Sequence, residues 1–219
     1  MSIVVIYPGS AVSGGMLSVV RDLDKHLSRD YSEIRYIETH GDNGRWSIKC
    51  LAAALLKFVW LLITVKIDVV YIHTASKGSF YRKSIFCFLG GLWRKRVVMH
   101  MHGGAFKEFF LSQPRICKSY ISFILTTVVS QLVVLTDGWK SWFEGSLKFK
   151  RMPLVVKNSV CELPSEKNTV GIKVVFVGRI VKEKGVFDLL QAVTKLPSEL
   201  NVRLELIGGG DCLDFESQN

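Results

Sequence analysis

The sequence predicts an α/β protein built around a parallel, Rossmann-like sheet. Short hydrophobic runs recur along residues 1–160, and most are separated by stretches with helical periodicity. Strands that alternate with helices form right-handed βαβ units, in which helices cover both faces of a parallel sheet. Residues 173–211 form one further strand-helix-strand unit. The expected architecture is therefore one Rossmann-like domain followed by part of a second.

The first domain contains six predicted strands, each a short hydrophobic run. They are Ile3–Tyr7, Glu33–Ile37, Asp68–His73, Arg96–His102, Leu132–Thr136 and Leu154–Lys157. An apolar stripe with a spacing of three or four residues predicts the first helix between the first two strands. The stripe consists of Met16, Val20, Leu23 and Leu27.

The hydrophobic run Leu51–Val65 is too short to cross a membrane. It covers about 15 residues and contains Lys57, whereas a spanning helix needs roughly 20 apolar residues. We therefore expect a buried helix. Its basic flanks, which include Lys49 and Lys66, still allow the neighbouring surface to rest on anionic lipid.

The positive charge of the chain is concentrated in the first domain. Residues 1–160 carry 22 Lys and Arg against 10 Asp and Glu, a formal charge of +12, whereas residues 161–219 carry 7 against 9, a charge of −2. Such a basic surface favours nucleic acid, an anionic membrane face or phosphorylated substrates as partners. Since the sequence has no helix-turn-helix, zinc-finger or RNA-recognition signature, nucleic acid is not expected.

The cysteines and the N-terminus indicate a cytoplasmic protein. The five cysteines are widely spaced and form no C-x-x-C motif, which argues against a disulfide framework and against a zinc site built on them. The segment Met1–Tyr7 lacks a basic region and a small-residue cleavage site, so we interpret it as a strand rather than a signal peptide.

A domain boundary is predicted at the polar stretch around Pro164. We expect an N-terminal domain over residues 1–160, a linker over 161–171 and a partial C-terminal domain over 172–219. Two strands and one helix, in about 50 residues, are a marginal size for an independent core. The chain is therefore expected to be truncated within its second domain.

The loop after the predicted strand at Val174–Val177 has the features of a diphosphate site. Gly178 lets the backbone approach a ligand, Arg179 offers a planar fork for phosphate oxygens, and Lys184 offers a mobile charge. The helix predicted from about Gly185 would add its positive N-terminus. A surface turn with two solvated cations remains the alternative on this motif alone.

Two loops of the first domain also attract attention. The loop Gly9–Gly15 follows the first strand and can hold an anion or serve as a flexible turn, but it is not a G-x-G-x-x-G or P-loop motif. His100 and His102 face the same side of an extended strand. A metal pair there lacks carboxylates nearby in the sequence, so His102, which precedes two glycines, is better placed as a polar group over a ligand.

Five short motifs, in their order along the chain, resemble those of glycosyltransferase family 4, which consists of retaining enzymes with the GT-B fold. The motifs are Gly14-Gly15, His102-Gly103, Val155–Asn158, the loop from Gly178-Arg179 to Lys184-Gly185, and Gly208–Asp211. The resemblance covers essentially the whole chain. It implies two Rossmann-like domains that face each other across a cleft.

The resemblance implies that the second domain binds a nucleotide-diphosphate-sugar donor and the first a glycan or lipid-linked acceptor, in surface polysaccharide biosynthesis. Arg179 and Lys184 would neutralise the diphosphate, and the Gly14-Gly15 backbone would approach the distal phosphate or the acceptor. His102 would be the catalytic-site residue that contacts the transferring sugar, with Gly103 and Asn158 in supporting positions. The resemblance implies no metal and no cofactor, and a peripheral location at the inner membrane face is expected.

The sequence departs from the family at one point. The family carries two Glu residues separated by seven others, and no two Glu residues here have that spacing. This departure supports the expectation of a truncated family member. A non-catalytic module that binds an anionic ligand or a membrane is an alternative, and a nucleotide-dependent reductase is disfavoured because the G-x-G-x-x-G fingerprint is missing.

Overall fold

The computed structural model describes residues 1–10, 15–31, 33–40, 47–158, 172–178 and 180–209, with the backbone alone for 27–30 and 183. The chain divides into two compact units, Met1–Val160 and Cys161–Asn219. The predicted linker at 161–171 lies outside the described residues. We describe each unit separately.

The first unit is built on a six-stranded parallel sheet. Its strands are β1 (Ser2–Tyr7), β2 (Glu33–Glu38), β3 (Val69–Thr74), β4 (Arg96–Met101), β5 (Gln131–Val134) and β6 (Leu154–Val155). The strand order is β2-β1-β3-β4-β5-β6, and each neighbouring pair is parallel. The predicted α/β class is confirmed, and this unit is Rossmann-like.

Helices connect successive strands of this sheet, as parallel pairing requires. They are α1 (Gly15–Asp30), α2 (Ile48–Thr64), α3 (Gly78–Leu92), α4 (Phe106–Ser112), α5 (Arg115–Phe123), which continues into a π-helical turn (Ile124–Val128), and α6 (Asp137–Ser146). Among the described residues, side-chain caps begin two of these helices. The Ser47 hydroxyl accepts a hydrogen bond from the Cys50 amide at 3.1 Å, and the Thr136 hydroxyl accepts one from the Trp139 amide at 3.3 Å.

Alternation along the strands separates the core into two clusters. Val4 and Ile6 belong to the larger cluster, which also contains the buried rings of Phe58, Phe80 and Phe86. The intervening residues Ile3 and Val5 belong to a smaller cluster together with Val69, with Tyr36 and Tyr71 packed against it. The second face of the sheet therefore carries tyrosines in the middle of β2 and β3.

Helix α2 corrects one expectation from the sequence. Its buried residues are Ala54, Phe58, Leu61 and Leu62, as expected for a helix packed on the sheet. Its other side exposes apolar side chains, and Trp60 retains 59% of its surface. The helix is thus buried on one side only. Within the described part of the chain, no helix has both the length and the apolarity that a membrane span requires.

Three predicted strands were too long at their C-terminal ends. β4 ends at Met101 rather than at His102, β5 ends at Val134, and β6 has two residues. For β5 the reason is local, because Thr136 serves as the N-cap of α6 and cannot also extend the strand.

The second unit contains two parallel strands and a helix. β7 (Ile172–Val177) pairs with β8 (Val202–Ile207), and α7 (Val186–Thr194) lies between them in sequence. Short 3-10 turns occupy Lys182–Lys184 and Ser198–Leu200. The predicted helix from Gly185 to Lys195 is confirmed to within one residue at each end.

Burial is much lower in this second unit. Val186 is its one fully buried apolar residue among those the structure describes, and Val177 retains 74% of its surface. A salt bridge between Lys173 and Glu205 joins the two strands. Since contacts between solvated charges contribute little, the described strands are held mainly by their backbone hydrogen bonds.

We therefore expect the amides of β7 and β8 to exchange with solvent at least about tenfold faster than those of β1, β3 and β4, because local opening becomes easier as buried contacts decrease. Hydrogen exchange followed by mass spectrometry on the full chain measures this directly. Equal protection of the two sets of strands would contradict the prediction.

Candidate functional site

The candidate site lies where the parallel strands of the first unit end. In open α/β sheets ligands bind outside the carboxyl ends of the strands. Here β3 ends with His73 and Thr74, and His102 directly follows β4. The amide of His102 donates a hydrogen bond to the Thr74 carbonyl at 2.8 Å, which holds the residue against the neighbouring strand.

Strand register brings three histidines to one face of the sheet. His73 on β3 is the direct partner of His100 on β4. His102 is two residues further along and so lies on the same side as His100. Tyr71 shares this face with the smaller core cluster. We refer to His73, His100 and His102 as the histidine cluster.

The rings of the histidine cluster are in direct contact. His73 Nδ1 lies 2.8 Å from His102 Nε2, within hydrogen-bond distance. The ring centres of His100 and His102 are 4.1 Å apart, and those of His73 and His102 are 5.0 Å apart in a stacked arrangement. His100 Nδ1 lies 3.0 Å from the hydroxyl of Tyr71. The sheet therefore presents His102 with a second histidine that fixes its orientation.

Burial makes these rings neutral. Desolvation lowers the pKa of His100 to about 4. Desolvation, together with His100 and Lys83, lowers the pKa of His102 to about 3, and the pKa of His73 lies well below its ordinary value for the same reasons. Each ring thus carries one N–H and one lone pair at neutral pH. Within the described residues, the Nε2 atoms of His73 and His100 are buried and have no hydrogen-bond partner.

A buried lysine accompanies the cluster. Lys83 on α3 is 2% exposed, and its Nζ has no hydrogen-bond partner in the described part of the chain. Burial, and then the charge of Arg82, lowers the pKa of Lys83 to about 7. Its charge in turn contributes to the lowered pKa of His40, His73 and His102.

Neither His73 nor Lys83 is identified as a site residue by a pattern in the sequence. His73 stood at the end of a predicted strand, but no sequence pattern gives the register between two strands. Lys83 follows Arg82 near the start of a helix, and lysines in such positions usually remain solvated.

The beginning of the predicted anion loop packs on a carboxylate. Glu38 accepts a hydrogen bond from the Tyr7 hydroxyl at 2.5 Å and from the Ser10 amide at 3.3 Å. Burial raises the pKa of Glu38, but these hydrogen bonds outweigh it and hold the pKa below its ordinary value. Gly9 has φ of +138°, and a Cβ there would lie 3.0 Å from Glu38 Oε2. The positive φ of Gly9 and its lack of a side chain therefore allow the loop to pack against Glu38. Gly15 begins α1, and Gly14 lies outside the described residues.

The glycines after His102 open onto an aromatic pocket. A Cβ at Gly103 would lie 2.9 Å from the backbone nitrogen of Ser76, so the loop after β4 is closely packed. Gly104 lines a pocket together with Lys107 and several aromatic rings, namely Phe106, Trp139, Trp142 and Phe143. This aromatic pocket therefore begins two residues after His102 in the chain.

Two of the predicted diphosphate residues, Gly178 and Lys184, lie in the described part of the second unit, after β7 and before α7 respectively. Lys184 is exposed at the end of the 3-10 turn that precedes the helix. Gly185 has φ of +70°, a conformation that favours glycine. The amide of Gly178 donates to the Ile207 carbonyl at 2.9 Å, and a Cβ at Gly208 would overlap the Gly178 carbonyl, so these glycines allow the two strand ends to approach each other. Arg179 lies outside the described residues, and Asn158 is exposed after β6.

No family model matches the chain, and a search of curated proteins gave no match.

Replacement of Lys83 by Met should stabilise the first unit, most strongly at pH 7 and below. Because the folded state lowers the pKa of Lys83, the unfolded chain binds more protons between about pH 7 and the ordinary lysine pKa, and the free energy of unfolding of the wild type rises with pH across that window. Each unit of pKa shift corresponds to about 1.4 kcal/mol. Denaturant unfolding from pH 6 to pH 10, with the exposed Lys148→Met as control, measures the effect. A difference between Lys83→Met and wild type that does not shrink with rising pH would contradict it.

Proposed function

We propose that this protein is a retaining glycosyltransferase of GT-B architecture that uses a nucleotide-diphosphate-sugar donor. The observation that carries the proposal is the neutral His102, oriented by His73 at the carboxyl end of a Rossmann-like sheet. A neutral imidazole can exchange hydrogen bonds with the hydroxyls of a sugar. Because it is neutral, it cannot balance the negative charge of a leaving diphosphate.

The charge of the leaving group must therefore be balanced elsewhere. Transfer breaks the bond between the sugar and the diphosphate, and preorganised positive groups stabilise the charge that develops on the departing oxygen. Lys184 is exposed at the N-terminus of α7, where the helix dipole also favours an anion. We assign Lys184 and Arg179 to this role, with Gly178 at the turn between them and β7.

The acceptor is a glycan or a lipid-linked sugar in this proposal. The aromatic pocket next to Gly104 offers rings of Trp139 and Trp142 beside polar groups of Lys107 and Glu108. Ligand pockets commonly combine aromatic lining with a few polar groups that fix orientation. This arrangement suits the apolar face and the hydroxyl edge of a sugar ring.

A membrane-facing surface supports a lipid-linked acceptor. Three neighbouring elements of the first unit expose apolar side chains, and α3 contacts both α2 and the π-helical turn after α5. The exposed residues are Leu56, Trp60 and Ile63 on α2, Ile85, Phe88 and Leu92 on α3, and Ile116, Tyr120 and Phe123 on α5. Exposed apolar groups of this extent mark interaction sites. Together with the charge of +12 on residues 1–160, they fit peripheral docking at an anionic cytoplasmic membrane face.

The alternative is a non-catalytic module that binds an anionic ligand or a membrane. The apolar surface and the positive charge favour it equally. It differs from the enzyme in one measurable respect, because only the enzyme releases nucleoside diphosphate from a nucleotide-sugar donor.

Substitution of either proposed cation should weaken diphosphate binding. We expect Lys184→Ala and Arg179→Ala each to cost roughly 1.5–3 kcal/mol in the binding of uridine, guanosine or adenosine diphosphate, more than about tenfold in Kd. Calorimetric titration of the full chain measures this. Lys182→Ala is the matched control, since Lys182 is exposed in the same turn.

Donor turnover then separates the enzyme from the binding module. His102→Ala should lower the rate of diphosphate release without changing diphosphate affinity. Equal affinities for wild type, Lys184→Ala and Arg179→Ala would rule out the diphosphate site, and diphosphate binding without turnover would favour the module.

Membrane binding should require both charge and apolar contact. Sedimentation with anionic phosphatidylglycerol vesicles should fall as salt is raised, because exposed charges are screened over about 8 Å at physiological ionic strength. The triple variant Leu56→Gln, Trp60→Gln, Ile63→Gln should bind at least about tenfold more weakly. Met152→Gln is the control, since Met152 is exposed outside these helices. Equal binding to neutral and anionic vesicles would remove the electrostatic part of the proposal.

A further inference from the structure

We propose that a cavity at the amino-terminal edge of the first unit's sheet binds a phosphate group. Among the described residues, three cations line this cavity, namely Arg96, Lys150 and Arg151, and we refer to it as the basic cavity. Arg96 begins β4, whereas His102 directly follows that strand. At about 3.3 Å per residue these two positions lie roughly 20 Å apart. The inference therefore concerns a separate site and does not rest on the proposed glycosyl transfer.

The fold brings the three cations together from two distant segments. Arg96 is the first residue of β4, and Lys150 and Arg151 lie in the loop before β6. Since β5 pairs in parallel with both β4 and β6, these strands begin at the same edge of the sheet. All three side chains are exposed. Within the described part of the chain, none of them forms an ion pair.

The positive charge exceeds what the nearby helix end requires. The π-helical turn after α5 ends at the basic cavity, where Thr127 and Val129 line it. A helix C-terminus carries about half a negative charge, which favours one cation but does not balance three. The described lining contains no carboxylate. A phosphate monoester, with a charge of about −1.5 to −2 near neutral pH, would balance the remainder.

Hydroxyl donors complete the lining of the basic cavity. The Ser130 hydroxyl oxygen accepts a hydrogen bond from the Val97 amide at 3.2 Å, which fixes its position. No acceptor for the Ser130 proton is found among the described residues, so this proton can be donated to a ligand. Thr127 adds an exposed hydroxyl. Together with the planar fork of Arg96, these donors exceed what the two oxygens of a carboxylate accept and suit the oxygens of a phosphate.

The size and position of the basic cavity indicate where the phosphate comes from. Its volume of about 320 Å³ leaves room for an ester as well as the phosphate itself. A neighbouring cavity shares Thr127 and Ser130 with it and is also lined by Phe88 and Leu92, which belong to the membrane-facing surface. The headgroup of an anionic phospholipid could therefore reach the basic cavity from that surface. A soluble phosphate monoester is the other source of the same chemistry.

Titration of the full chain with glycerol 3-phosphate tests the soluble form of the ligand. We expect calorimetry to show one site, and each of Arg96→Gln, Lys150→Gln and Arg151→Gln to weaken binding by more than about fivefold, because each removes a charge-assisted contact. Lys148→Gln is the matched control, since Lys148 is an exposed cation of the same loop that does not line the cavity. Lys184→Ala should also leave this affinity unchanged, which separates the basic cavity from the proposed diphosphate site.

Vesicle sedimentation tests the lipid form of the ligand. Phosphatidylcholine vesicles that contain phosphatidic acid are compared with vesicles that contain oleic acid at the same surface potential, so that phosphate recognition is separated from charge alone. If a headgroup occupies the basic cavity, binding to the phosphatidic acid vesicles should be at least about fivefold tighter. The Arg96, Lys150 and Arg151 variants should lose that difference, and Lys148→Gln should retain it.

The two arms together decide the proposal. Cation-dependent binding of glycerol 3-phosphate with no preference for phosphatidic acid would identify a soluble ester as the ligand, and a preference for phosphatidic acid would identify a headgroup. Absence of binding in both arms would overturn the proposal. Affinities that survive all three substitutions, or that fall equally in Lys148→Gln, would show a solvated basic surface without a phosphate site and would overturn it as well.

Discussion

The parallel pairing of β3 with β4 is the constraint on which the candidate site depends. Register places His73 directly opposite His100, and the two-residue period of a strand places His102 on the same face. A shift of one residue would turn the β4 histidines to the opposite face. Large buried side chains on the other face, including Met99 and Met101, prevent that shift. The packing of the core therefore fixes the geometry of the polar cluster.

Burial without carboxylate partners determines the chemistry of this cluster. Desolvation alone is enough to lower the pKa of His100, and the neighbouring rings and Lys83 lower those of His73 and His102 further. The resulting groups are neutral donors and acceptors rather than cations. Such groups suit hydroxyls better than they suit a phosphate. For this reason the proposed function assigns the charge compensation for a diphosphate to Lys184 and Arg179.

The two units differ in how many of their apolar side chains are buried. In the first, strand alternation supplies one apolar face for a helix-covered core and a second face that carries tyrosines and histidines. In the second, the described strands are largely solvated and α7 buries Val186 alone among its residues. The close approach of Gly178 and Gly208 shows that glycines near a predicted ligand loop also serve backbone packing.

The sequence by itself determined the α/β class, the strand positions to within a few residues, and the helix that follows Gly185, because hydrophobic periodicity and glycine positions are local signals. It also identified His100 and His102 as residues of one face. Only the tertiary structure decided that His73 joins them, that Lys83 is buried, and that α2 exposes the apolar side chains of Leu56, Trp60 and Ile63. These features depend on strand register and on which helix packs over which strand. Both are set by contacts between residues far apart in sequence, which no local pattern records.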